Sequence, residues 1–262
     1  MNFHTLIASD VDGTLIPEET TVLPEAVLNQ IRAVHERGFL FMAASGRQYP
    51  SLRALFEPVA DQMAFLIENG GGIYYRDRLR YTNGLPRDTA LAIARYVMAV
   101  PNCEFLIDDA YGSTVLPKSD AFERRVRDEM KLSYRRIDDL NDLPDAPLKI
   151  AVFCPEGTER YADAFQRDWG VRVNVVVSGR QWIDFNLSDK GTGLLAACRE
   201  FGIPQSSTIA FGDNWNDVPM LRNAARPYIM STANPELKGM FSRRCDDVAE
   251  ELKKICGNFE KN

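Results

Sequence analysis

Two aspartates, Asp10 and Asp12, follow an apolar run that starts at Phe3 and has the character of a buried strand. In an extended chain, residues two apart point to the same side, so we expect the two carboxylates to be neighbours. At an effective dielectric constant of about 20, two like charges about 4 Å apart repel each other by roughly 4 kcal/mol. A cation or a shared proton would offset this repulsion, so the pair indicates a metal-assisted active site.

Two other structures are compatible with the segment Asp10-Val11-Asp12-Gly13. A calcium loop of the EF-hand type would need further oxygen ligands and a glutamate at its twelfth position, and Leu15 and Ile16 interrupt that series here. A plain turn at the end of a strand would also use aspartate and glycine. On this segment alone, a turn and a catalytic site are equally compatible, and the rest of the chain decides between them.

Length and composition place the chain among ordinary globular proteins of one large or two modest domains. It has 262 residues, 45% of them hydrophobic and 26% charged, and its net charge of −6 argues against a nucleic-acid surface. Five cysteines without a Cys-x-x-Cys pair are typical of reduced thiols, and the two histidines, His4 and His35, are too few for a histidine-rich zinc site or a Ser-His-Asp triad. We find neither an apolar run of membrane-spanning length nor a signal peptide, and expect a cytoplasmic protein with no membrane partner.

Strands and helices alternate in the first third of the chain. The apolar runs at 6–9, 39–44 and 64–67 are separated by helical segments, a β-α-β-α-β pattern that predicts a parallel sheet with helices on its faces. Between residues 83 and 181, strands with polar edges often follow one another, which predicts an α+β module with an antiparallel sheet.

The first pattern returns with a strand-like segment at 182–187, which we expect to re-enter the parallel sheet. The predicted fold class is therefore α/β, a Rossmann-like doubly wound parallel core interrupted by an inserted α+β cap. We predict that residues 1–82 and 182–262 form the core and that residues 83–181 form the cap.

Polar motifs follow three strands of the predicted core, at the edge where open parallel sheets bind ligands. Lys190 begins a helix after the strand at 182–187. Taken singly, Ser45 would be a turn cap and Lys190 a surface lysine, but their joint placement with the acids favours one common site. The motifs are Asp10 with Asp12, Ser45-Gly46-Arg47, and Asp213-Asn214-Trp215-Asn216-Asp217.

Phosphoryl transfer needs these residue types. An anionic nucleophile approaches an anionic phosphate only when a divalent cation neutralises their repulsion, and hard oxygen ligands favour magnesium. A hydroxyl and a lysine can hold the phosphoryl oxygens, while a second acid protonates the leaving oxygen.

The four motifs resemble those of haloacid dehalogenase-like (HAD) phosphatases over the whole chain. Their order and spacing, the Glu68-Asn69-Gly70 step and the insert between the second and third motifs are similar to the Cof-type IIB branch, whose cap is of the C2B type. The motifs as they stand are Asp10-Val11-Asp12-Gly13-Thr14-Leu15, Ser45-Gly46-Arg47, Lys190-Gly191 and Gly212-Asp213-x-x-Asn216-Asp217.

The resemblance implies a magnesium-dependent phosphatase that acts on small phosphorylated metabolites such as sugar phosphates, nucleotides or cofactor phosphates. Asp10 would be the nucleophile that forms an aspartyl-phosphate, and Asp12 would protonate the leaving alcohol and then activate water. Mg²⁺ would be held by the Asp10 carboxylate, the backbone carbonyl of Asp12 and Asp213.

The same resemblance implies a phosphate-binding set made of Ser45, Gly46, Lys190 and Asn216. Asp217 would orient Lys190 or a metal-bound water, and Arg47 would support the site. The segment 230–234, Met-Ser-Thr-Ala-Asn, departs from the Met-Gly-Asn-Ala-like turn that is usual in relatives, which affects a loop and not the chemistry.

Rival functions compete with hydrolysis. A phosphomutase or phosphotransferase would use the same aspartate and pass the phosphate to a sugar. Gly191-x-Gly193-x-x-Ala196, with Asp213 further on, has the form of a dinucleotide-binding fingerprint, but this leaves Asp10, Asp12 and Ser45 unexplained. A binding module without activity would not need an acid at every motif.

Overall fold

The structure, a computed structural model, describes residues 3–17, 20 and 22–259 and divides the chain into two compact units. One unit contains the described residues up to Tyr81 and those from Asp189 onward, and we call it the core unit. The other, Thr82–Ser188, is called the inserted unit. Among the described residues, no helix combines the length and the apolar character that a membrane span requires.

Strands and α-helices alternate along much of the described part of the chain. In chain order the strands are β1 (Thr5–Ser9), β2 (Phe39–Ala44), β3 (Ala64–Ile67), β4 (Gly72–Tyr75), β5 (Arg78–Thr82), β6 (Glu104–Asp108), β7 (Ser113–Val115), β8 (Tyr134–Arg136), β9 (Lys149–Phe153), β10 (Asn174–Gly179), β11 (Trp182–Asn186), β12 (Thr208–Gly212), β13 (Arg226–Met230) and β14 (Arg244–Cys245). The α-helices are α1 (Glu25–Glu36), α2 (Tyr49–Leu55), α3 (Arg87–Ala99), α4 (Asp120–Arg124), α5 (Ala162–Trp169), α6 (Lys190–Phe201), α7 (Val218–Asn223), α8 (Pro235–Met240) and α9 (Val248–Phe259). A π-helical turn, Arg125–Glu129, extends α4, and short 3₁₀ turns cover Glu57–Gln62, Glu68–Gly70, Leu140–Asp142, Thr158–Arg160, Gln205–Ser207 and Trp215–Asp217.

The core unit is built on an eight-stranded sheet of order β14-β13-β12-β1-β2-β3-β4-β5. The strands from β14 to β3 are parallel, and every residue of β1, β2, β3 and β12 is buried. Strands buried on both faces require continuous apolar runs, which is the pattern of these segments. Helices α6, α7 and α8 pack on one face, in a cluster with Leu6, Leu40 and Met42, while α1 contacts β2 and α9.

The hairpin of β4 and β5 at one edge of this sheet was not predicted. Strand β4 runs antiparallel to β3, and the turn residues Arg76 and Asp77 both have positive φ, 50° and 55°. Turns of this hand usually contain Asn-Gly or Asp-Gly, so the sequence carries no ordinary signal for the hairpin. Asp77 is held instead by hydrogen bonds from the Tyr49 hydroxyl and Arg53 Nε.

The inserted unit contains a six-stranded sheet of order β10-β11-β9-β6-β7-β8, antiparallel except for the β7–β8 pair. Helices α3 and α5 pack on one face, and α4 packs on the other through Phe122, which stacks on Phe153. This unit has the α+β character that the sequence predicts.

One predicted boundary of the insert is wrong. Strand Trp182–Asn186 belongs to the antiparallel sheet of the inserted unit, where it pairs with both β9 and β10. The chain returns to the core unit at Asp189, and residues 182–188 therefore belong to the insert. The other boundary, predicted at residue 83, falls at Thr82. The sequence of an apolar strand does not show which sheet the strand joins, because that depends on pairing partners far away in the chain.

Candidate active site

The candidate site lies at the carboxyl ends of β1, β2 and β12. Ser9 of β1 lies beside Phe211 of β12 and Ala43 of β2, so these three strands end at a common edge of the sheet. Asp10, Ser45 and Asp213 follow directly after the three strands. The parallel register therefore brings together motifs that are up to about two hundred residues apart in the sequence.

Lys190 is the cation at the centre of the site. Its Nζ donates hydrogen bonds to Asp10 Oδ1 at 2.5 Å and to Asp217 Oδ1 at 2.6 Å. Lys190 and Asp217 are 0% exposed and Asp10 is 6% exposed. A buried lysine of this kind requires charged partners, and these two acids provide them.

Helix α6 begins at Lys190 because Asp189 caps it. Asp189 Oδ1 accepts a hydrogen bond from the backbone N–H of Thr192 at 2.7 Å, and the Thr192 hydroxyl faces the N–H of Asp189 at 3.0 Å. This capping box fixes the first turn of the helix, and with it the direction in which the Lys190 side chain leaves the backbone.

Asp213 and Asp217 are held in place by their own loops. The Thr14 hydroxyl donates to Asp213 Oδ1 at 2.6 Å. Asp217 Oδ2 accepts from the backbone N–H groups of Asp213 and Asn214, each at 3.0 Å. Gly13 has φ +87°, and a Cβ there would lie 2.4 Å from Asp213 Oδ2, so only glycine allows this close approach. Thr14 was part of the first motif, but its contact with Asp213 was not foreseen.

The Asp12 side chain is held by Arg47, a contact that the sequence does not predict. Strand β1 ends at Ser9 and the chain turns at once, so the alternation rule for extended chains does not apply. The Asp12 carboxylate instead pairs with Arg47, whose Nη2 and Nε lie 2.5 Å and 3.0 Å from its two oxygens. Arg47 therefore offsets the charge of Asp12, and the acids that raise the pKa of Asp10 are Asp217 and Asp213.

Ser45 and Asn216 are joined through Asn69. Ser45 is 2% exposed, and its hydroxyl accepts a hydrogen bond from the N–H of Arg47 at 3.1 Å. The N–H of Asn69 donates to the carbonyl of Ser45 at 2.9 Å, while Asn69 Oδ1 accepts from Asn216 Nδ2 at 3.2 Å. Asn69 takes up a left-handed conformation, φ +53°, which asparagine tolerates better than most residues. It thus connects the second and fourth motifs.

The electrostatics of the site favour a bound cation. Burial raises the pKa of Asp10 to about 8, against the opposing charge of Lys190 and with a further increase from Asp217. Burial also raises the pKa of Asp213, although the hydrogen bond from Thr14 opposes it. Burial alone would lower the pKa of Lys190, but Asp217 and Asp10 reverse this effect and raise it. The buried acids are thus poorly neutralised by protein groups alone.

Asp10, Asp213 and Asp217 each offer a carboxylate oxygen, and these oxygens all lie within 4.8 Å of one another. Three carboxylates and the ammonium of Lys190 leave two negative charges when all four groups are ionised. Hard oxygen ligands with this excess of negative charge suit a small divalent cation such as Mg²⁺. The side chain of Asp12 is not in this group, and a ligand role for its backbone carbonyl stays a prediction.

The dinucleotide-binding interpretation of Gly191 and Gly193 is wrong in its structural premise. The strand before this helix, Trp182–Asn186, lies in the antiparallel sheet and not in a parallel βαβ unit. A Cβ at Gly191 would lie 2.5 Å from the carbonyl oxygen of Pro219, and one at Gly193 would lie 2.6 Å from Leu66 Cδ1. Both glycines therefore serve the close packing of α6.

Comparison with known proteins agrees with this geometry. Residues 7–251 match the family model of haloacid dehalogenase-like hydrolases, and the chain belongs to this family. It is 27% identical over 231 residues to the 5-amino-6-(5-phospho-D-ribitylamino)uracil phosphatase YbjI of Escherichia coli, covering 87% of this chain and 85% of that protein.

Solved structures show the same fold over almost the whole chain. A protein of Eubacterium rectale aligns with a TM-score of 0.89 and 25% identity, covering 96% of this chain and 99% of its own. The HAD subclass IIB sugar phosphatase BT4131 aligns with a TM-score of 0.76 and 18% identity, covering 96% of this chain and 98% of its own. The predictions of a Cof-type HAD family member, of an α/β fold and of a phosphoric monoester hydrolase are confirmed.

Proposed function

We propose that the chain hydrolyses phosphate monoesters of small metabolites through an aspartyl-phosphate on Asp10, with Mg²⁺ as its cofactor. The observation that carries this proposal is the buried contact of Lys190 with both Asp10 and Asp217, beside Asp213. A fold gains little from three acids around one lysine, whereas phosphoryl transfer needs such a cluster.

Asp10 is the nucleophile in this mechanism. Lys190 fixes one carboxylate oxygen at 2.5 Å and thereby sets the orientation of the carboxylate plane. A carboxylate oxygen of Asp10 forms a bond to phosphorus while the bond from phosphorus to the ester oxygen breaks. The developing charge on the phosphoryl oxygens is then stabilised by the ammonium of Lys190 and by the hydroxyl of Ser45.

Asp12 is the general acid and base. Its two-point contact with Arg47 restricts the carboxylate to one orientation, while 34% of its side chain stays exposed. Asp12 gives a proton to the leaving oxygen, and in the second step it takes a proton from the water that attacks the aspartyl-phosphate. Arg47 is thus a positioning residue for Asp12.

The phosphate-binding set is Ser45, Gly46, Lys190 and Asn216. Asn69 supports it, because the same residue contacts the backbone of Ser45 and the side chain of Asn216. Asp217 positions Lys190.

Asp10, Asp213 and the backbone carbonyl of Asp12 would hold Mg²⁺. When bound, the ion supplies positive charge that neutralises the phosphoryl oxygens and the surrounding acids. Asp217 contributes negative charge to the same group. The inserted unit acts as the cap in this proposal, and it selects the leaving group while the core unit carries the phosphoryl chemistry.

A screen of phosphorylated metabolites with Mg²⁺ tests the function. The panel contains sugar phosphates, nucleotides, cofactor phosphates and 5-amino-6-(5-phospho-D-ribitylamino)uracil, the compound in the name of the E. coli relative. We expect release of inorganic phosphate from at least one compound. A parallel arm with an unphosphorylated sugar acceptor measures transfer, and phosphate appearing on the sugar instead of in solution would contradict hydrolysis.

A further inference from the structure

Two cysteines of the inserted unit face each other across neighbouring strands. Cys103 directly precedes β6 and Cys154 directly follows β9, and these antiparallel strands pair Glu104 with Phe153 at this end. Cys103 and Cys154 are therefore the next facing pair. Their sulfur atoms lie 3.9 Å apart, and both side chains point into the same apolar cluster.

This placement suits a disulfide bond. Facing residues of antiparallel strands have Cα atoms about 4.5–5.5 Å apart, which falls within the range of about 4.4–6.8 Å that disulfides require. The sulfur atoms must move from 3.9 Å to about 2.0 Å. Rotation of the two side chains can supply that movement without a change of strand register.

We propose that Cys103 and Cys154 are a modification site at which hydrogen peroxide forms a reversible disulfide. The sulfur of Cys103 attacks one peroxide oxygen, the O–O bond breaks, and a sulfenic acid and water result. The sulfur of Cys154 then attacks the sulfenic sulfur and displaces a second water. Two thiols and one peroxide give one disulfide and two waters, so sulfur is oxidised and peroxide is reduced.

We expect Cys103 to be the sulfur that reacts first. Its contact with the Cys154 thiol and the charge of Lys118 lower the pKa of the Cys103 thiol, against the effect of burial. The same sulfur contact and burial raise the pKa of the Cys154 thiol. Because the thiolate is the reactive species, Cys103 is the better nucleophile of the two.

We expect peroxide to reach the pair from the end of the sheet. Both side chains are 0% exposed, but they lie where β6 begins and β9 ends, between Asn102 and Pro155. Local opening of the terminal strand pairing is the route by which we expect a molecule as small as peroxide to enter.

The test exposes the full-length protein to hydrogen peroxide, unfolds it and alkylates the remaining thiols for mass spectrometry. We expect two of the five thiols to be lost together, a peptide that joins residues 103 and 154, and full recovery with dithiothreitol. Cys103→Ser and Cys154→Ser should each abolish the linked peptide, whereas the control Cys198→Ala should retain it. Alkylation of all five thiols after treatment, or linkage of other cysteines, would overturn the proposal. The wild-type peptide map decides the question even if a variant fails to fold.

Discussion

Lys190 Nζ lies 2.5 Å from Asp10 Oδ1, and both side chains are almost excluded from solvent. A single lysine thereby orients the candidate nucleophile and offsets part of the charge of three neighbouring acids. This relationship gives the core unit its most specific predictions, because each partner can be changed separately.

Replacement of Asp10 with asparagine should abolish turnover while the fold survives. An amide cannot attack phosphorus, so we expect kcat to fall by roughly 10⁴-fold or more. The neutral side chain also removes repulsion with Asp217 and Asp213, so the melting temperature should stay close to that of the wild type. Phosphate release and circular dichroism measure the two effects. Retention of more than a few per cent of activity would rule out covalent catalysis by Asp10.

Replacement of Asp12 with asparagine should separate the two chemical steps. Loss of an acid–base group costs about 10²–10⁴-fold in rate. With p-nitrophenyl phosphate the leaving group needs no proton, so the variant should show a burst of nitrophenol followed by slow turnover. Stopped-flow absorbance measures the burst. Turnover that shows no burst and is equally slow for alkyl and aryl esters would contradict the role of Asp12 as general acid and base.

Removal of the lysine charge should destabilise the protein. Lys190→Met leaves Asp10 and Asp217 buried without their cation, and breaking such a pair costs about 3–5 kcal/mol. The further change Asp217→Asn should restore part of this loss, since one uncompensated charge disappears. Urea unfolding of the two single variants and the double variant measures the coupling. Strictly additive free energies would show that the two residues do not interact.

Magnesium should stabilise the folded protein through Asp213. A ligand that binds only the native state raises the melting temperature, and we expect this increase in the wild type but not in Asp213→Asn. The matched control is Asp61→Asn, an acid whose side chain is 76% exposed, and it should respond like the wild type. Chelation should remove activity reversibly, and calcium should inhibit because its coordination shell is larger and more flexible. Full activity in excess chelator would contradict the metal requirement.

The loop at 108–113 of the inserted unit should influence substrate preference. Asp109 Oδ1 accepts hydrogen bonds from the N–H groups of Tyr111 and Gly112, and the side chain of Tyr111 is left 82% exposed. Tyr111→Ala should therefore spare folding and shift the ratio of kcat/KM between two phosphate esters by about tenfold. Val171→Ala, at a residue that is 98% exposed in the same unit, is the control.

Trapping of beryllium trifluoride at Asp10 distinguishes specificity from structural support. We expect Tyr111→Ala to bind this phosphate mimic as the wild type does, because in the proposed mechanism the core unit makes the contacts. An equal loss of kcat/KM for every substrate, together with loss of beryllium trifluoride binding, would show that the loop has only a structural role.

The sequence alone was sufficient for the parts of the site that depend on parallel strands. Asp10, Ser45 and Asp213 each follow a continuous apolar run, and parallel strands that are buried on both faces end at one edge. The sequence likewise predicts that Lys190 begins a helix, as it does in α6. These inferences rest on local patterns, which a sequence shows directly.

Features that depend on distant partners were missed. The pairing of Asp12 with Arg47 needs the turn after β1, and the contact of Asn69 with Asn216 needs two loops to meet. Strand Trp182–Asn186 was assigned to the wrong sheet, since an apolar strand does not reveal its neighbours. The turn at Arg76 and Asp77 lacks glycine and gave no hairpin signal.

Chemical trapping of the intermediate on Asp10 tests the proposed mechanism most directly. The Asp12→Asn variant is mixed with Mg²⁺ and p-nitrophenyl phosphate, quenched with acid during the burst and reduced with borohydride, which converts an aspartyl-phosphate to homoserine. Peptide mass spectrometry then locates the modified residue. The mechanism predicts homoserine at position 10 in an amount equal to the burst. Unmodified Asp10 after a measured burst, or homoserine at Asp213 or Asp217, would contradict it.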